Sequence, residues 1–443
     1  MNQGSAVGRL THRLRAGGLR AIVSIALAGV GVQVLTFVSG PIVARMLGAD
    51  GRGLMVLVIV VASLCSAFGV GGLPAAASHA VGASGAAARD AARGLIGRWT
   101  LAMLGPGLVA GILTAIVVRH EDEWLLLSVL GAAVAYFQCL NYLALALLQG
   151  EGAIQRVNSA RLIGIAAYVA AVVIIFVAVP TEHAPTILAI YAASLAGGSV
   201  LGWCMLRKPT GDTSLAVPSS EVHAFARRAW TTGLKPLDAL GLDQLLVGVV
   251  LGQAALGIYS VAVSVTSLPL VALNGVALAL LPKLASLEPG DSIGVMRRWV
   301  LASVGLAAAM VLGIEIVLGP AIRIFFGDEF EPAIGLGRLL VIAWAFLALR
   351  RVLAAAAQAQ GRVVAASVAE GVSTVLLAVL AYVGMKADDL DGVAWAMIGV
   401  SVFCCAWLAA VMTWRHDSAD SIHAPEADEL EPPVTDTVEH RLT

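Results

Sequence analysis

The chain has 443 residues, of which 59% are hydrophobic and 13% charged, and its formal net charge at pH 7 is −1. Its mean hydropathy of +0.89 lies far above the range of soluble domains. This composition excludes a chain of ordinary soluble domains, and the balanced charge gives no indication of nucleic-acid binding. We therefore expect an integral membrane protein.

Apolar segments of membrane-spanning length follow one another from residue 19 to residue 414. The first six predicted spans are 19–47, 54–81, 95–118, 124–148, 154–179 and 187–206. The second six are 225–251, 256–287, 299–318, 334–359, 363–385 and 393–414. The sequence thus predicts an all-α integral membrane protein with about twelve transmembrane helices.

The two ends of the chain are polar. Residues 1–18 form a basic N-terminus, and the apolar run that follows them is too long for a cleaved signal peptide. Residues 417–443 are acidic and contain proline, so we expect a disordered cytoplasmic tail. All five cysteines lie in apolar runs without the spacing of a metal site or a disulfide framework, and no cofactor or metal is expected.

Lys and Arg residues are distributed unevenly between the two sides of the predicted spans. Most of them, including the cluster at residues 9–20, fall on one side. The other side holds little beyond Arg52, Arg119, Arg323 and Lys386. By the positive-inside rule, the first side is cytoplasmic, and an even number of spans places both termini there. We expect a multi-pass protein of the bacterial plasma membrane.

Short glycine-containing strings recur in the two halves of the chain. Leu47-Gly48 and the later Gly53 align without a gap with Leu251-Gly252 and Gly257, and Gln149-Gly150 resembles Gln360-Gly361. These matches predict two parallel six-helix bundles, 19–206 and 223–416, joined by a cytoplasmic linker at 207–222, around a central cavity. The alternative is a chance match, because Leu and Gly are abundant in this sequence.

Ionisable residues inside the predicted spans are the best functional indicators, because such a group costs about 2.5–3.5 kcal/mol at mid-bilayer and persists where it faces protein or water. In the seventh span, Lys235 and Asp238 share a helix face. They either line the cavity or form a self-neutralising pair. Asp243 either serves as a coupling carboxylate or bonds across a helix interface.

Three arginines are candidates for binding an anionic headgroup, because a guanidinium binds phosphate through paired hydrogen bonds. These are Arg45, Arg161 and Arg350, each of which also has snorkelling to the interface as an alternative. Glu370 occupies nearly the same position in the second half as Arg161 in the first, so the two residues are expected to face one another across the cavity.

Other polar groups in the spans allow two interpretations each. Glu315 is either a second coupling carboxylate or a plain interfacial one. Amides such as Gln138 and Asn141 bond either sugar hydroxyls or a neighbouring helix. No catalytic constellation, nucleotide-binding loop or large polar domain is present in the sequence, so an enzyme is not expected.

Several short stretches of the sequence occur together in one known family. They are Pro41 to Leu54, Gly71-Gly72-Leu73-Pro74, Leu242-Asp243-Gln244, Gly252, Gly257 to Ser260, and the glutamines at 149 and 360. Through them the chain resembles the polysaccharide biosynthesis (O-antigen-type) flippases of the multidrug/oligosaccharidyl-lipid/polysaccharide exporter superfamily. The resemblance extends over residues 19–414. Asp243 matches a recurrent position of that family.

The resemblance implies two bundles that form a V-shaped cavity open to each side in turn. It implies a transporter that flips a polyprenyl diphosphate-linked oligosaccharide from the inner to the outer leaflet. The implied partners are the lipid-linked glycan, membrane lipids, and a polymerase or glycosyltransferases of the same pathway. The alternatives are a cation-coupled multidrug exporter of the same fold and a non-transporting scaffold for envelope assembly.

Overall fold

The computed structural model describes residues 4–84, 99–179, 181–206, 241–285 and 289–413, together with a few residues between 222 and 229. All regular elements in these ranges are helices. In the first half they are α1 (Gly4–Val70), α2 (Leu73–Ser84), α3 (Leu104–Val117), α4 (Trp124–Gly150), α5 (Ile154–Ala178) and α6 (Ala184–Cys204).

The second half contains six further α-helices and two short helical turns. The helices are α7 (Leu242–Val250), α8 (Gln253–Thr266), α9 (Leu268–Ala285), α10 (Pro289–Ala321), α11 (Pro332–Ala359) and α12 (Val363–Thr413). Between α10 and α11 lie a π-helical turn (Ile322–Phe326) and a 3₁₀ turn (Asp328–Phe330).

Two of these helices are hairpins of two spans. In α1, Gly48 has φ +65° and ψ −173°, which breaks the helix. A continuous helix would hold Gly40 and Arg52 about 18 Å apart, yet Arg52 donates a hydrogen bond to the Gly40 carbonyl. In α12 the break lies at Asp388 and Asp389. Each hairpin therefore has a first arm and a second arm.

The described helices account for the twelve spans that the sequence predicts. Eight described helices are long and apolar enough to cross a membrane, and the bent pair α8–α9 is a ninth. Counting the two arms of α1 and of α12 separately, and taking α7 as the described part of one more span, gives twelve. The chain is a multi-pass membrane protein with two bundles of six spans.

The eighth span, predicted at 256–287, is bent in the structure. It begins at Gln253, and its two parts, α8 and α9, meet at an angle of 47°. Pro269 explains the bend because it has no amide N–H to donate to the preceding turn and its ring crowds that turn.

The two bundles, called here the first lobe (α1–α6) and the second lobe (α7–α12), each have an apolar core. In the first lobe, the second arm of α1 packs with α3–α6 around residues such as Val58, Val134 and Ile187. The core of the second lobe extends across to α1, because Ala44, Ala49 and Leu57 are buried in it. Contact between the lobes thus passes mainly through α1.

The tightest contact between the lobes lies near Gly48 and Gly252, and we call this the Gly48 end of the molecule. A Cβ atom on Gly53 would lie 1.8 Å from the Gln253 carbonyl oxygen, and one on Gly257 would lie 2.0 Å from the Ala49 carbonyl oxygen. Gly53 and Gly257 are equivalent residues of the two halves, so the contact has twofold pseudosymmetry. Only glycine allows this approach of the backbones.

Candidate functional site

Arg161 lies on the protein-facing side of α5. It is four, seven and eleven residues from the buried Val157, Tyr168 and Val172, so all four share one helix face. The exposed Ile163, which would contact lipid, lies on the opposite face. Arg161 is nevertheless exposed. Exposure of a residue at the centre of a face that is otherwise buried indicates an opening inside the protein at this position.

Tyr142 on α4 lines the same opening for the same reason. It shares a face with the buried Ala135 and Ala146, yet it is 41% exposed. The Gln138 side chain, one turn away, donates a hydrogen bond to the Tyr142 hydroxyl at 3.1 Å. Tyr142 and Arg161 lie within electrostatic reach of each other.

The polar surface of this opening continues to α1, where the Ser63 hydroxyl donates to Gln138 Oε1 at 3.2 Å. Arg161 forms no hydrogen bond or ion pair with any residue that the structure describes. The opening therefore presents a guanidinium, a phenol ring and an amide side by side. This combination can bind an anion together with a polar, ring-shaped group.

The structure sharpens the comparison between the two halves. Gly152 and Gly361 both have positive φ, at +68° and +77°, and α5 and α12 each begin two residues later. The repeat therefore aligns Gly152, not Gly150, with Gly361, which shifts the predicted register by two residues. Arg161 and Glu370 are then the eighth residues of their helices.

Charge differs between the halves at this shared position. Arg350 is 2% exposed, and its Nη1 lies 2.7 Å from Glu370 Oε1. In the first lobe, the residues equivalent to this ion pair are Asn141 and Arg161. At this position the charges of Arg350 and Glu370 balance each other in the second lobe. In the first lobe, Arg161 is a cation at the opening and Asn141 carries no charge. Glu370 pairs with Arg350 inside its own lobe.

Arg45 contributes to the Gly48 end. Its Nε and Nη2 donate to the carbonyl oxygens of Phe325 and Ile324, in the π-helical turn, at 2.9 and 2.5 Å. The Ala49 amide donates to Glu329 Oε1 at 2.8 Å. The structure thus places Arg45 in a contact between the lobes, separate from the opening around Arg161.

Asp243 is buried in the second lobe, with 4% of its surface exposed. The Tyr259 hydroxyl donates to Asp243 Oδ2 at 2.6 Å, and Met397 Sδ lies 3.0 Å from the same hydroxyl. Gly241, with φ +59°, is the N-cap residue of α7, and Asp243 lies in the first turn of that helix. Asp243 is therefore a buried carboxylate at the start of a helix, bonded to α8.

The remaining predicted site residues have different outcomes. Glu315 on α10 forms an ion pair with Arg338 Nε on α11 at 3.6 Å. Lys235 and Asp238 lie outside the residues that the structure describes. The sequence did not single out Tyr142 or Arg338, and it placed Arg52 among the loop cations although Arg52 is 5% exposed. The helix-face comparison with buried neighbours is the signal that identifies Tyr142.

A groove of about 1040 Å³ lies between the two arms of α12. It is lined by apolar residues, among them Val364, Val368, Phe403 and Trp407, with Arg362 as the one ionisable lining residue. Val364 is largely exposed. The groove lacks the polar groups that a glycan requires.

The sequence matches the family model described as polysaccharide biosynthesis protein over residues 19–288. No curated protein matches the sequence.

Solved structures with the same fold are transporters. An inward-facing multidrug resistance MATE family transporter of the MOP superfamily is 15% identical, with a TM-score of 0.66 over 87% of this chain and 99% of that one. A MOP superfamily transporter from Pyrococcus furiosus, described as having a binding pocket of reversed polarity, is 17% identical, with a TM-score of 0.61 over 89% and 94%. An outward-facing MATE transporter is 18% identical, with a TM-score of 0.54 over 89% and 97%. At these identities the likeness concerns the fold.

Proposed function

The chain belongs to the polysaccharide biosynthesis protein family, and from this premise we propose that it flips a polyprenyl diphosphate-linked oligosaccharide across the membrane. The coarser statement, that it is a multi-pass transporter of the MOP superfamily, follows from the family and the shared fold. The substrate, the direction of transport and the bacterial plasma membrane as its location belong to the proposal.

One observation carries the choice of substrate. Arg161 is exposed on the interior face of α5 and has no partner among the described residues. A free guanidinium within a membrane span favours an anionic ligand, and it disfavours the cationic drugs of the exporter alternative. The Tyr142 ring and the Gln138 amide beside it suit a sugar attached to a phosphate group.

The transport cycle follows from the contacts between the lobes. The lobes meet at the Gly48 end, which the positive-inside rule places outside the cell. The described state is then closed to the outside, and the opening at Arg161 receives the headgroup from the cytoplasmic leaflet. Release requires the contacts at the Gly48 end to separate while the lipid tail stays in the membrane.

Asp243 is the coupling carboxylate of this proposal. It is buried, and its described hydrogen-bond partner is the uncharged Tyr259. A carboxylate in such a place is stabilised by taking up a proton or a cation. Glu315 is the weaker candidate because Arg338 already balances its charge.

Depletion of the protein in its own cells tests the proposed function. Lipid-linked oligosaccharide should accumulate in the cytoplasmic leaflet, and wild-type protein should relieve the accumulation whereas an Arg161→Ala, Lys235→Ala double variant should not. Unchanged lipid intermediates combined with altered sensitivity to cationic drugs would contradict the proposal and favour the exporter. Relief by the double variant equal to the wild type would favour the scaffold.

A further inference from the structure

Arg52 joins the two lobes at the Gly48 end. Its Nε donates to Ser260 Oγ at 2.8 Å, and its Nη2 donates to Ser264 Oγ at 3.2 Å, both on α8. Its Nη1 donates to the Gly40 carbonyl of its own lobe. The guanidinium also lies over the Phe326 ring, 5.6 Å from the centroid. Three of these four partners belong to the second lobe.

Three of these partners depend on contact between the lobes. Opening of the Gly48 end would separate Arg52 from Ser260, Ser264 and Phe326 and leave it the Gly40 carbonyl of its own lobe. Most of its five N–H donors would then be available to a ligand in a planar fork. That geometry matches a phosphate group, which can accept two of these hydrogen bonds at once.

A row of tyrosines connects this position to the opening at Arg161. Tyr142 lies within electrostatic reach of both Arg161 and Tyr191. The Tyr191 and Tyr168 rings meet edge to face, with centroids 5.5 Å apart. Tyr168 in turn lies within electrostatic reach of Arg52. Three of the six tyrosines of the chain therefore form one row with an arginine at each end.

Exposure along this row decreases toward the Gly48 end. Tyr142 is exposed, Tyr191 is half-buried, and Tyr168 and Arg52 are buried. Exposure thus falls from Arg161 to Arg52, as it would along a cavity that narrows toward the Gly48 end. Phenol rings can stack with sugars without selecting one orientation, so the row suits a glycan that moves along it.

We propose that Arg52 is a second anion-binding position, which takes over the diphosphate from Arg161 when the lobes separate at the Gly48 end. This inference rests on the proposed function. It assigns Arg52 two roles in sequence: a contact between the lobes in the closed state and a diphosphate ligand in the open state. The ligand therefore stabilises the open state through Arg52.

Distances between the lobes test this proposal. Asp50 and Ala254 are exposed at the Gly48 end, one in each lobe, and accept spin labels after replacement by Cys in a Cys204→Ser background. The probe is N-acetylglucosamine linked to farnesyl diphosphate, added to the full-length protein in lipid nanodiscs. Double electron–electron resonance should show a larger open population with the probe than without it.

Two variants separate the roles of Arg52. Arg52→Gln removes both the contact and the anion ligand, so the open population should rise without probe and should no longer respond to it. The matched control, Ser260→Ala with Ser264→Ala, removes the contact and keeps the guanidinium. Its open population should also rise without probe, but it should rise further when the probe is added.

The two possible failures are distinguishable. If the probe opens Arg52→Gln as much as it opens the control variant, Arg52 is a contact residue alone and this inference is wrong. If the probe holds the wild-type Gly48 end closed, the inference is also wrong. If the wild type does not bind the probe at all, as measured by microscale thermophoresis on the same samples, the proposed function itself fails.

Discussion

Arg161 and Glu370 show how two equivalent positions acquire different roles. Each is the eighth residue of its helix, but Glu370 has Arg350 within 2.7 Å, whereas Asn141 stands in the place of Arg350 in the first lobe. The sequence alone indicated that the two positions are nearly equivalent. It could not indicate the pairing, because that depends on which neighbouring helix each residue faces.

We predict that the Arg350–Glu370 pair is required for the stability of the second lobe. Glu370→Gln leaves the buried Arg350 without its carboxylate, and removal of one partner of a buried ion pair costs about 3–5 kcal/mol. The melting temperature in detergent should therefore fall clearly. An Arg350→Met, Glu370→Leu double variant should recover most of that loss, and a double variant as unstable as Glu370→Gln would contradict this explanation.

We predict that the Tyr142 ring contributes to binding of the sugar. Tyr142→Leu should weaken binding of the farnesyl diphosphate-linked sugar about two- to tenfold, because it removes the aromatic contact. Binding of farnesyl diphosphate without sugar should change little, since Arg161 is retained. Tyr382→Leu is the control, because Tyr382 is an exposed residue of the second lobe. Equal losses for both ligands would contradict a role in binding the sugar.

At the scale of the helices, the sequence predicts most of the features that depend on hydropathy, which are the positions of the spans and of the breaks between them. The hairpin breaks at Gly48 and at Asp388 fall between the predicted spans, and α12 begins at the predicted residue 363. The bend at Pro269 and the contact between Gly53 and Gln253 were not predicted. Hydropathy reports how apolar a segment is, whereas contacts between helices depend on the direction of individual groups.

The glycine contact between α1 and α8 makes a prediction about the closed state. A Cβ on Gly257 would lie 2.0 Å from the Ala49 carbonyl oxygen, whereas ordinary contacts begin at 3.4 Å. Gly257→Ala should therefore separate the lobes at the Gly48 end, although alanine favours a helix by about 1 kcal/mol. In a Cys204→Ser background, a membrane-impermeant thiol reagent should then label Ala44→Cys, which is buried between the lobes, faster than it labels the same position with Gly257 unchanged.

The control for this prediction is Gly275→Ala on α9, where an added Cβ meets no atom within 4 Å. It gains the same helix propensity and creates no clash, so Ala44→Cys should be labelled at the same rate as in the protein with Gly275 unchanged. If Gly257→Ala behaves in the same way as Gly275→Ala, the glycine contact does not hold the Gly48 end closed.

For the whole molecule, the fold was more predictable than the site. Span number, helical class and superfamily follow from features that occur many times along the chain, so single errors have little effect. The site depends on where a few individual side chains lie in the folded protein. Arg45 and Arg52, both near Gly48 in sequence, contact the second lobe, whereas Arg161 faces an opening. Lys235 and Asp238 stay predictions.

We predict that Asp243 couples transport to an ion gradient. Asp243→Asn keeps the shape and the hydrogen bond from Tyr259 but cannot take up a proton or a cation. Uphill transport driven by an ion gradient should be lost, while downhill exchange of labelled substrate across proteoliposomes should persist. Retention of gradient-driven transport by Asp243→Asn would exclude this carboxylate from coupling.

We propose that this protein moves a diphosphate-linked sugar through the opening at Arg161. This transport is measured as translocation of a fluorescent, short-chain polyprenyl diphosphate sugar in proteoliposomes containing the purified protein. Arg161→Gln should slow translocation about ten- to a hundredfold, as expected for loss of a hydrogen-bonded charge, and Arg161→Lys should slow it less. The control Arg298→Gln removes an exposed cation elsewhere and should match the wild type. Wild-type vesicles no faster than protein-free vesicles, or full activity of Arg161→Gln, would contradict the claim.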